Sequence, residues 1–232
     1  MSTQQTFTHI GTRPVRHDGL DKVTGRASYG GDVTWPGTLF GVIVRSPHAH
    51  ARIVSIDTSR AERMPGVRAV ITGQDIPPNN AKVAIGAEGS FDLHDMGENL
   101  LAHDKVLYHG HAVAAVAATT LDQAQAAAAA VSVTYEVLQP VVTIEQAIAP
   151  GAPLLHPGMV TGGKPTPAMS GPSNVAARME LRRGDVDKAF AEADVVVERE
   201  FRTAMVHQGY IEPHACIARA SEDGQVTVWT ST

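Results

Sequence analysis

Short apolar runs alternate with polar segments rich in glycine and proline, and this pattern predicts a mixture of short strands and helices. The stretch from Lys105 to Pro140 is the most regular. It begins with two apolar runs separated by a turn, and an alanine-rich helix is predicted from Leu121 to Ala130, with Thr119 or Thr120 as its N-cap. Val131–Val137 then alternates like a half-buried strand. The order strand, helix, strand predicts a β-α-β unit.

The chain before this stretch contains a similar arrangement. His9–Asp32 carries several glycines, which predicts an extended leader with little regular structure. Leu39–Val44 is a continuous apolar run that predicts a buried strand, and Ile53–Asp57 and Val67–Thr72 predict two more, with a short helix between them. Gln74–Asn99, which contains several prolines, asparagines and glycines, is predicted to be an irregular surface excursion.

The chain after residue 140 predicts a linker and then a further set of strands. Pro150–Val175 is rich in Pro, Gly, Ser and Thr, as linkers are. Gly184–Ala193 predicts a short helix that begins with a capping aspartate. Asp194–Ala204 predicts a strand, while Cys216–Ala220 and Gln225–Thr230 flank a turn and predict an antiparallel hairpin.

Composition narrows the class of protein. The chain has 232 residues, with 43% hydrophobic and 19% charged residues, as is typical of a globular protein of one or two domains. Its formal charge of −5 gives no electrostatic reason to expect nucleic acid or an anionic membrane as a partner. The sequence contains neither an apolar run of membrane-spanning length nor a signal-peptide pattern, so we expect a cytoplasmic protein.

The single cysteine, Cys216, excludes a disulfide within the chain and a four-cysteine metal or iron–sulfur site built from this chain alone. Because it lies in an apolar strand pattern, we expect an inert buried thiol. His48 and His50 are two residues apart and could share a metal, but neither an acidic residue nor a third histidine lies nearby in sequence. We therefore predict no metal site at this pair.

A second set of metal-binding residue types occurs near the end of the chain, namely His207, Glu212, His214 and Cys216. Their spacing is not a usual zinc spacing, although a strand would place the last three on one side. A small zinc-binding protein is therefore kept as the weakest alternative. The stronger interpretation is a packed turn from Gln208 to His214, in which backbone N–H groups or an arginine hold the Glu212 carboxylate.

Several phrases of the sequence, in their order and spacing, resemble one family. They are Lys22-Val-Thr-Gly25 with Tyr29 and Asp32, Ser46-Pro-His-Ala-His-Ala-Arg52, Pro65-Gly-Val67, Val106-Leu-Tyr-His-Gly110, Gly184-Asp185, and Tyr210-Ile-Glu-Pro-His214. Together they resemble the molybdenum-binding large subunit of the xanthine dehydrogenase and aldehyde oxidase family. The carbon monoxide dehydrogenase-like branch is the most similar. The resemblance extends over nearly the whole chain.

The resemblance implies an α+β fold in which a mixed α/β hammerhead domain precedes an incomplete, β-rich portion of a molybdenum-cofactor domain. The expected organisation is an extended leader at 1–21, the hammerhead domain at 22–142, a Pro/Gly-rich linker at 143–183, and the truncated beginning of the molybdopterin-binding domain at 184–232. The last portion, Val195–Thr232, should expose an apolar sheet face, because three strands cannot bury both of their faces.

The resemblance also implies a function. Members of the family oxidise an aldehyde, an N-heterocycle or CO with water as the oxygen source, using a molybdenum–pterin cofactor, here expected in its cytosine dinucleotide form. Electrons pass to [2Fe–2S] clusters and FAD, which we expect on partner subunits of a hetero-oligomer. The expected partners are these two subunits and the remainder of the cofactor domain, with no nucleic acid and no membrane.

No catalytic residue of the family transfers to this chain, because the glycine-rich cofactor segment and the general-base glutamate of the family pattern do not occur in it. We therefore expect this chain alone to be inactive and to bind neither metal nor cofactor. Gln208, Gly209 and Glu212 are the candidates for a position near the cofactor-domain core. The alternative function is a non-catalytic structural or interaction module derived from the family.

Overall fold

The computed structural model of the protein describes residues 8–77, 82–84, 90–163, 171–181 and 183–231. The helices are α1 (Gly19–Val23), α2 (Ser59–Glu62), α3 (Leu93–Leu100), α4 (Leu121–Ala130), α5 (Ile144–Ile148) and α6 (Val186–Glu192). The strands are β1 (Phe40–Arg45), β2 (Ala51–Asp57), β3 (Val67–Thr72), β4 (Lys82–Ala84), β5 (Ser90–Asp92), β6 (Lys105–Val106), β7 (Ala112–Ala118), β8 (Ser132–Val137), β9 (Gly162–Gly163), β10 (Ala177–Arg178), β11 (Cys216–Ala220) and β12 (Val226–Thr230). No helix within these ranges is long and apolar enough to cross a membrane.

The described residues form two compact units. The central unit is Gly37–Val197, and the terminal unit combines the described residues up to Pro36 with those from Glu198 onward. The mixture of short helices and small sheets confirms the predicted α+β class.

Strand β7 is the middle strand of the first sheet of the central unit. The strand order is β1-β7-β3, and both neighbours pair with β7 in the antiparallel direction. Five of the seven residues of β7 are alanine, and most of the strand is buried. Val113 and Val116 point to opposite faces because side chains alternate along a strand, and each lies in a different core cluster.

The two faces of this sheet carry different layers. On one face, Val113 packs with Ala51 and Val106 of a second antiparallel sheet, whose strand order is β6-β2-β8. On the other face, Val116 packs with Ala61 of α2 and Ala127 of α4. The small side chains of α4 allow the helix to approach the sheet closely. The central unit therefore has three layers: two helices, a three-stranded sheet and a second three-stranded sheet.

The predicted strands and helix of the Lys105–Pro140 stretch are present, and Thr120 caps α4 by accepting a hydrogen bond from the Gln123 N–H at 3.3 Å. The prediction of a β-α-β unit is nevertheless wrong. Strands β7 and β8 belong to different sheets, and each pairs only with antiparallel neighbours. The helix connects two layers and does not cross over between parallel strands of one sheet.

The predicted excursion at Gln74–Asn99 is more regular than expected. Its described part contains the antiparallel pair β4 and β5 followed by α3, while 78–81 and 85–89 lie outside the described residues. The excursion begins with a tight 3-10 turn at Gly73–Asp75, in which the Asp75 carboxylate accepts a hydrogen bond from the Thr72 N–H at 2.7 Å.

The described part of the predicted linker is attached to the central unit by specific bonds. The Asn174 amide donates hydrogen bonds to the carbonyls of Ala147 and Pro153, at 3.1 and 3.0 Å, and its oxygen accepts the N–H of Leu155 at 3.0 Å. The Lys105 ammonium donates to the Leu155 carbonyl at 2.7 Å. These side chains form hydrogen bonds with backbone groups that a helix or sheet would otherwise pair. The described residues of this segment can therefore be ordered without regular secondary structure.

The terminal unit contains the predicted hairpin, β11 and β12, which pair in the antiparallel direction around a turn at Gly224. Two predictions for this unit are wrong. The leader contains the short helix α1, and a 3-10 turn at Gly30–Asp32, so it is not wholly extended. Asp194–Ala204, which begins in the central unit and is predicted as a strand, has no strand structure, because no strand among the described residues supplies the hydrogen bonds that a sheet requires.

Candidate functional site

The candidate residues Gln208, Gly209 and Glu212 lie together in an irregular segment of the terminal unit, and all three are exposed. Gly209 adopts φ +71°, which favours glycine, and its N–H donates a hydrogen bond to the His207 Nδ1 at 3.1 Å. This local turn at Gly209 is the only backbone feature that the sequence pattern accounts for in the described residues of this segment. Glu212 makes no hydrogen bond or ion pair with the described residues, so its predicted backbone or arginine partner stays a prediction.

Three rings are in contact along the same segment. The Tyr210 ring lies 5.5 Å from the His207 ring at 84° and 4.8 Å from the His214 ring at 57°, measured between ring centroids. Edge-to-face geometry of this kind is favourable between aromatic quadrupoles. The arrangement orders the segment locally, but it directs the histidine rings toward a tyrosine and not toward each other.

The described residues give the zinc alternative no geometric support. Within the described residues, which include His207, Glu212, His214 and Cys216, no group of three His, Cys, Asp or Glu side chains is placed to hold a metal ion. Cys216 is exposed in β11, where it pairs with Thr230. The prediction of a buried thiol is therefore wrong, because the strand lies in a two-stranded hairpin and not within a larger sheet.

His48 and His50 have separate roles in the central unit. His50 is buried and donates from Nδ1 to the Gln139 carbonyl at 2.7 Å, while its Nε2 has no hydrogen-bond partner among the described residues. The His48 ring contacts the Tyr135 ring edge-to-face at 5.0 Å. Burial raises the pKa of the Tyr135 hydroxyl. Both histidines help to attach the end of β8 to the loop before β2.

A polar groove in the central unit was not predicted from the sequence. Its lining is Ile53, Val54, Ser55, Ile56, Thr58, Glu62, Val70, Thr72, Gln74, Asp75, His103 and Asp104. The acidic groups are paired locally: Asp75 accepts from the Thr72 N–H, and Glu62 accepts from the Thr58 hydroxyl at 2.5 Å. His103 contacts Asp104 at 3.2 Å. A threonine three residues before an aspartate, as in Thr72 and Asp75, is a capping pattern and does not indicate a ligand site.

His111 is the largest fully buried side chain of the described residues. Its Nε2 donates to the Glu98 carbonyl at 2.9 Å, its Nδ1 accepts the Leu107 N–H at 3.2 Å, and its ring stacks on Tyr108 at 4.4 Å. Burial lowers the pKa of the imidazole, and Glu98 partly opposes this shift. Sequence reasoning assigned this histidine only to a chain-reversing turn and gave no signal of its burial.

Two family models match the chain in succession. The model described as "Aldehyde oxidase and xanthine dehydrogenase, a/b hammerhead domain" matches residues 24–139, which is half of the chain. The chain belongs to this family. The model of the molybdopterin cofactor-binding domain then matches residues 168–232. The sequence resemblance to the large subunit of the xanthine dehydrogenase family is thereby confirmed.

Three relatives illustrate the family. The chain is 34% identical over 223 residues to the nicotinate dehydrogenase large molybdopterin subunit of Eubacterium barkeri, covering 96% of this chain and 47% of that protein. It is 37% identical over 215 residues to the 6-hydroxypseudooxynicotine dehydrogenase complex subunit gamma of Paenarthrobacter nicotinovorans, covering 90% and 25% respectively. It superposes on the reconstituted CO dehydrogenase from Oligotropha carboxidovorans with a TM-score of 0.77, 35% identity, and coverage of 95% and 27%.

The chain thus spans between a quarter and a half of the length of these relatives. Gln208, Gly209 and Glu212, all exposed on an irregular segment, do not by themselves form an enclosed site for a pterin. No chemical step is therefore assigned to a side chain of this chain.

Proposed function

We propose that this chain is part of the large, molybdopterin-binding subunit of a molybdenum hydroxylase. The observation that carries the proposal is the succession of a hammerhead match at 24–139 and a molybdopterin-domain match at 168–232 along one chain. The relatives that align over nearly the whole chain include proteins named as a molybdopterin subunit and as a subunit of a dehydrogenase complex.

The exposed apolar side chains of the terminal unit support a role within a larger assembly. Phe201 is 87% exposed, and Met205 and Ile211 are fully exposed. Large apolar side chains clustered at a surface mark a region that another surface covers, because water contact with them is unfavourable. The expected cover is further polypeptide of the cofactor domain, as in a large subunit.

We infer the reaction, the form of the cofactor and the partner subunits from family membership. The reaction is oxidation of an aldehyde, an N-heterocycle or CO with water as the oxygen source. The cofactor is the molybdenum–pterin in its cytosine dinucleotide form, and the electrons pass to [2Fe–2S] and FAD subunits in a cytoplasmic hetero-oligomer. The groups that contact the reacting atoms belong to polypeptide other than the described residues, and the contribution of this chain is to build and position one side of the cofactor domain.

The test is purification of the tagged chain from its native host under non-denaturing conditions. The proposal predicts a complex that contains molybdenum, iron and FAD in comparable amounts and that reduces an electron-accepting dye with a substrate from one of the three classes. The chain produced alone should contain no molybdenum. A chain that purifies from its host without molybdenum, iron and flavin would contradict the proposal and favour the non-catalytic module.

A matched pair of variants separates a specific surface from general destabilisation. Ile211→Asp places a charge on the exposed apolar segment, and Val15→Asp places the same charge at a site that is 93% exposed in the leader. Ile211→Asp should reduce recovery of the molybdenum-containing complex by roughly 30-fold, the effect of losing one strong interface contact. Val15→Asp should leave recovery unchanged. Equal recovery with both variants would exclude this segment as the assembly surface.

A further inference from the structure

A buried imidazole forms a hydrogen bond with the last turn of α3. The last four carbonyls of a helix have no partner within the helix, and Glu98 supplies one of them. His111 Nε2–H donates to that carbonyl at 2.9 Å, so the imidazole caps the helix from the side of β7. Met96 and Leu100 on the helix are 48% and 66% exposed, while Leu101 and Ala102 directly after it are buried, and the Ala102 N–H donates to the Ala112 carbonyl at 2.8 Å.

The other ring nitrogen of His111, Nδ1, is also hydrogen-bonded. Nδ1 accepts the Leu107 N–H at 3.2 Å, so it must carry a lone pair and no proton. A proton added to His111 would go to Nδ1 and would point at the Leu107 N–H, replacing an attraction with a repulsion. The ring has no contact with solvent that could stabilise the resulting charge.

The charged and polar groups around the ring come from three elements. Glu98 on α3 carries the nearest carboxylate, and Tyr108 in the turn before β7 covers one face of the ring. Arg45 at the end of β1 donates to the Gly110 carbonyl at 2.9 Å, which places a permanent positive charge in the same turn. Glu98 favours the protonated imidazole, whereas burial and the Leu107 N–H oppose it.

We propose that His111 is a pH-sensitive latch for α3: the neutral imidazole holds the helix end against the turn before β7, and protonation releases it. The latch is a property of the central unit and does not depend on the proposed function. The element it holds, α3, lies outside both three-stranded sheets of the central unit.

The direction of the pH effect follows from the geometry. The closed form binds a proton less readily than the released form, so closure is favoured above the pKa of an ordinary histidine, about 6.5. As the pH falls below that value the released form gains protons, and closure weakens until the pKa of the closed form is also passed. The opening equilibrium should rise by up to about tenfold for each unit that separates the two pKa values.

Hydrogen exchange on the full chain tests the latch. Amides of 96–101 should lose protection between pH 7.5 and pH 5 after correction for the intrinsic exchange rate, by up to about tenfold for each unit that separates the two pKa values, while those of α4 should not. His111→Gln retains an amide donor for the Glu98 carbonyl but does not titrate in this range, so its α3 protection should be independent of pH. His109→Gln, at an exposed neighbour, should behave like the unaltered protein.

Loss of α3 protection to the same extent in His111→Gln and in the unaltered chain would overturn the proposal. If His111→Gln does not fold, the unaltered chain provides the second measurement. Nitrogen chemical shifts of the His111 ring should show the Nε2–H tautomer at pH 7.5, and they should titrate below the ordinary histidine value of about 6.5. A His111 titration at or above that value would also overturn the proposal.

Discussion

At the scale of single residues, Gly73 is a position where the backbone leaves no room for a side chain. A Cβ at this position would lie 2.5 Å from the Ala102 carbonyl oxygen and 2.9 Å from the His103 Cα, and both of these are backbone atoms. Gly73→Ala should therefore lower the free energy of unfolding of the central unit by about 1–3 kcal/mol, the usual cost of overpacking. Thermal unfolding monitored by circular dichroism measures the change.

Gly41 provides the control. It lies in β1, and a Cβ there would meet nothing within 4 Å. Gly41→Ala should therefore be neutral or slightly stabilising, because alanine restricts the unfolded chain more than glycine does. Equal destabilisation by the two substitutions would show that the close approach at Gly73 is not the cause.

Sequence reasoning succeeded at single residues when their partners were local. The Thr120 and Asp185 caps were predictable because each accepts a hydrogen bond from an N–H only three residues further along the chain. It failed for Cys216 and Glu212, whose exposure depends on which distant segments cover them. The burial of His111 likewise involves contacts with α3 and with Leu107 after β6 that no sequence pattern indicated.

At the scale of elements, the two faces of α4 differ in how much space they have. Ala124 and Ala127 are completely buried against the first sheet and α2, whereas Ala126 is exposed. Ala127→Leu should destabilise the central unit by about 1–3 kcal/mol, because the added atoms must displace β7 or α2. Denaturant unfolding gives this difference as a lower midpoint at an unchanged slope.

Ala126→Leu is the matched substitution on the exposed face of the same helix. Since alanine and leucine both have high helix propensity, it should change stability by less than about 0.5 kcal/mol. A destabilisation by Ala126→Leu as large as that by Ala127→Leu would mean that helix propensity, and not packing against the sheet, sets the cost.

The elements also mark where hydrophobic pattern stops being informative. The pattern located β1, β2, β3, α4 and the final hairpin close to their observed bounds. It could not assign β7 and β8 to different sheets, because alternation defines the faces of a strand but not its neighbours. Asp194–Ala204 alternates as a strand should, yet it remains irregular without a partner.

At the scale of the whole molecule, two segments that are remote in sequence pack together in the terminal unit. The terminal unit joins the leader to the hairpin, although the central unit separates them in sequence. Trp35 contacts Trp229 edge-to-face at 4.2 Å, and a Cβ at Gly30 would lie 3.3 Å from the Ser231 nitrogen. Family resemblance indicated the order of the domains, but neither resemblance nor local pattern predicted that these two remote segments would pack together.

This packing gives the last prediction. Trp35→Ala removes the edge-to-face contact, worth about 0.5–1.5 kcal/mol beyond the buried area, so amides of β12 should exchange up to about tenfold faster. Trp35→Phe retains an aromatic ring and should recover part of the protection, and α4 amides serve as an internal reference. The hairpin bonds themselves are local, so β11 and β12 should remain paired in both variants. Unchanged exchange of the β12 amides in Trp35→Ala would mean that the leader does not stabilise the hairpin.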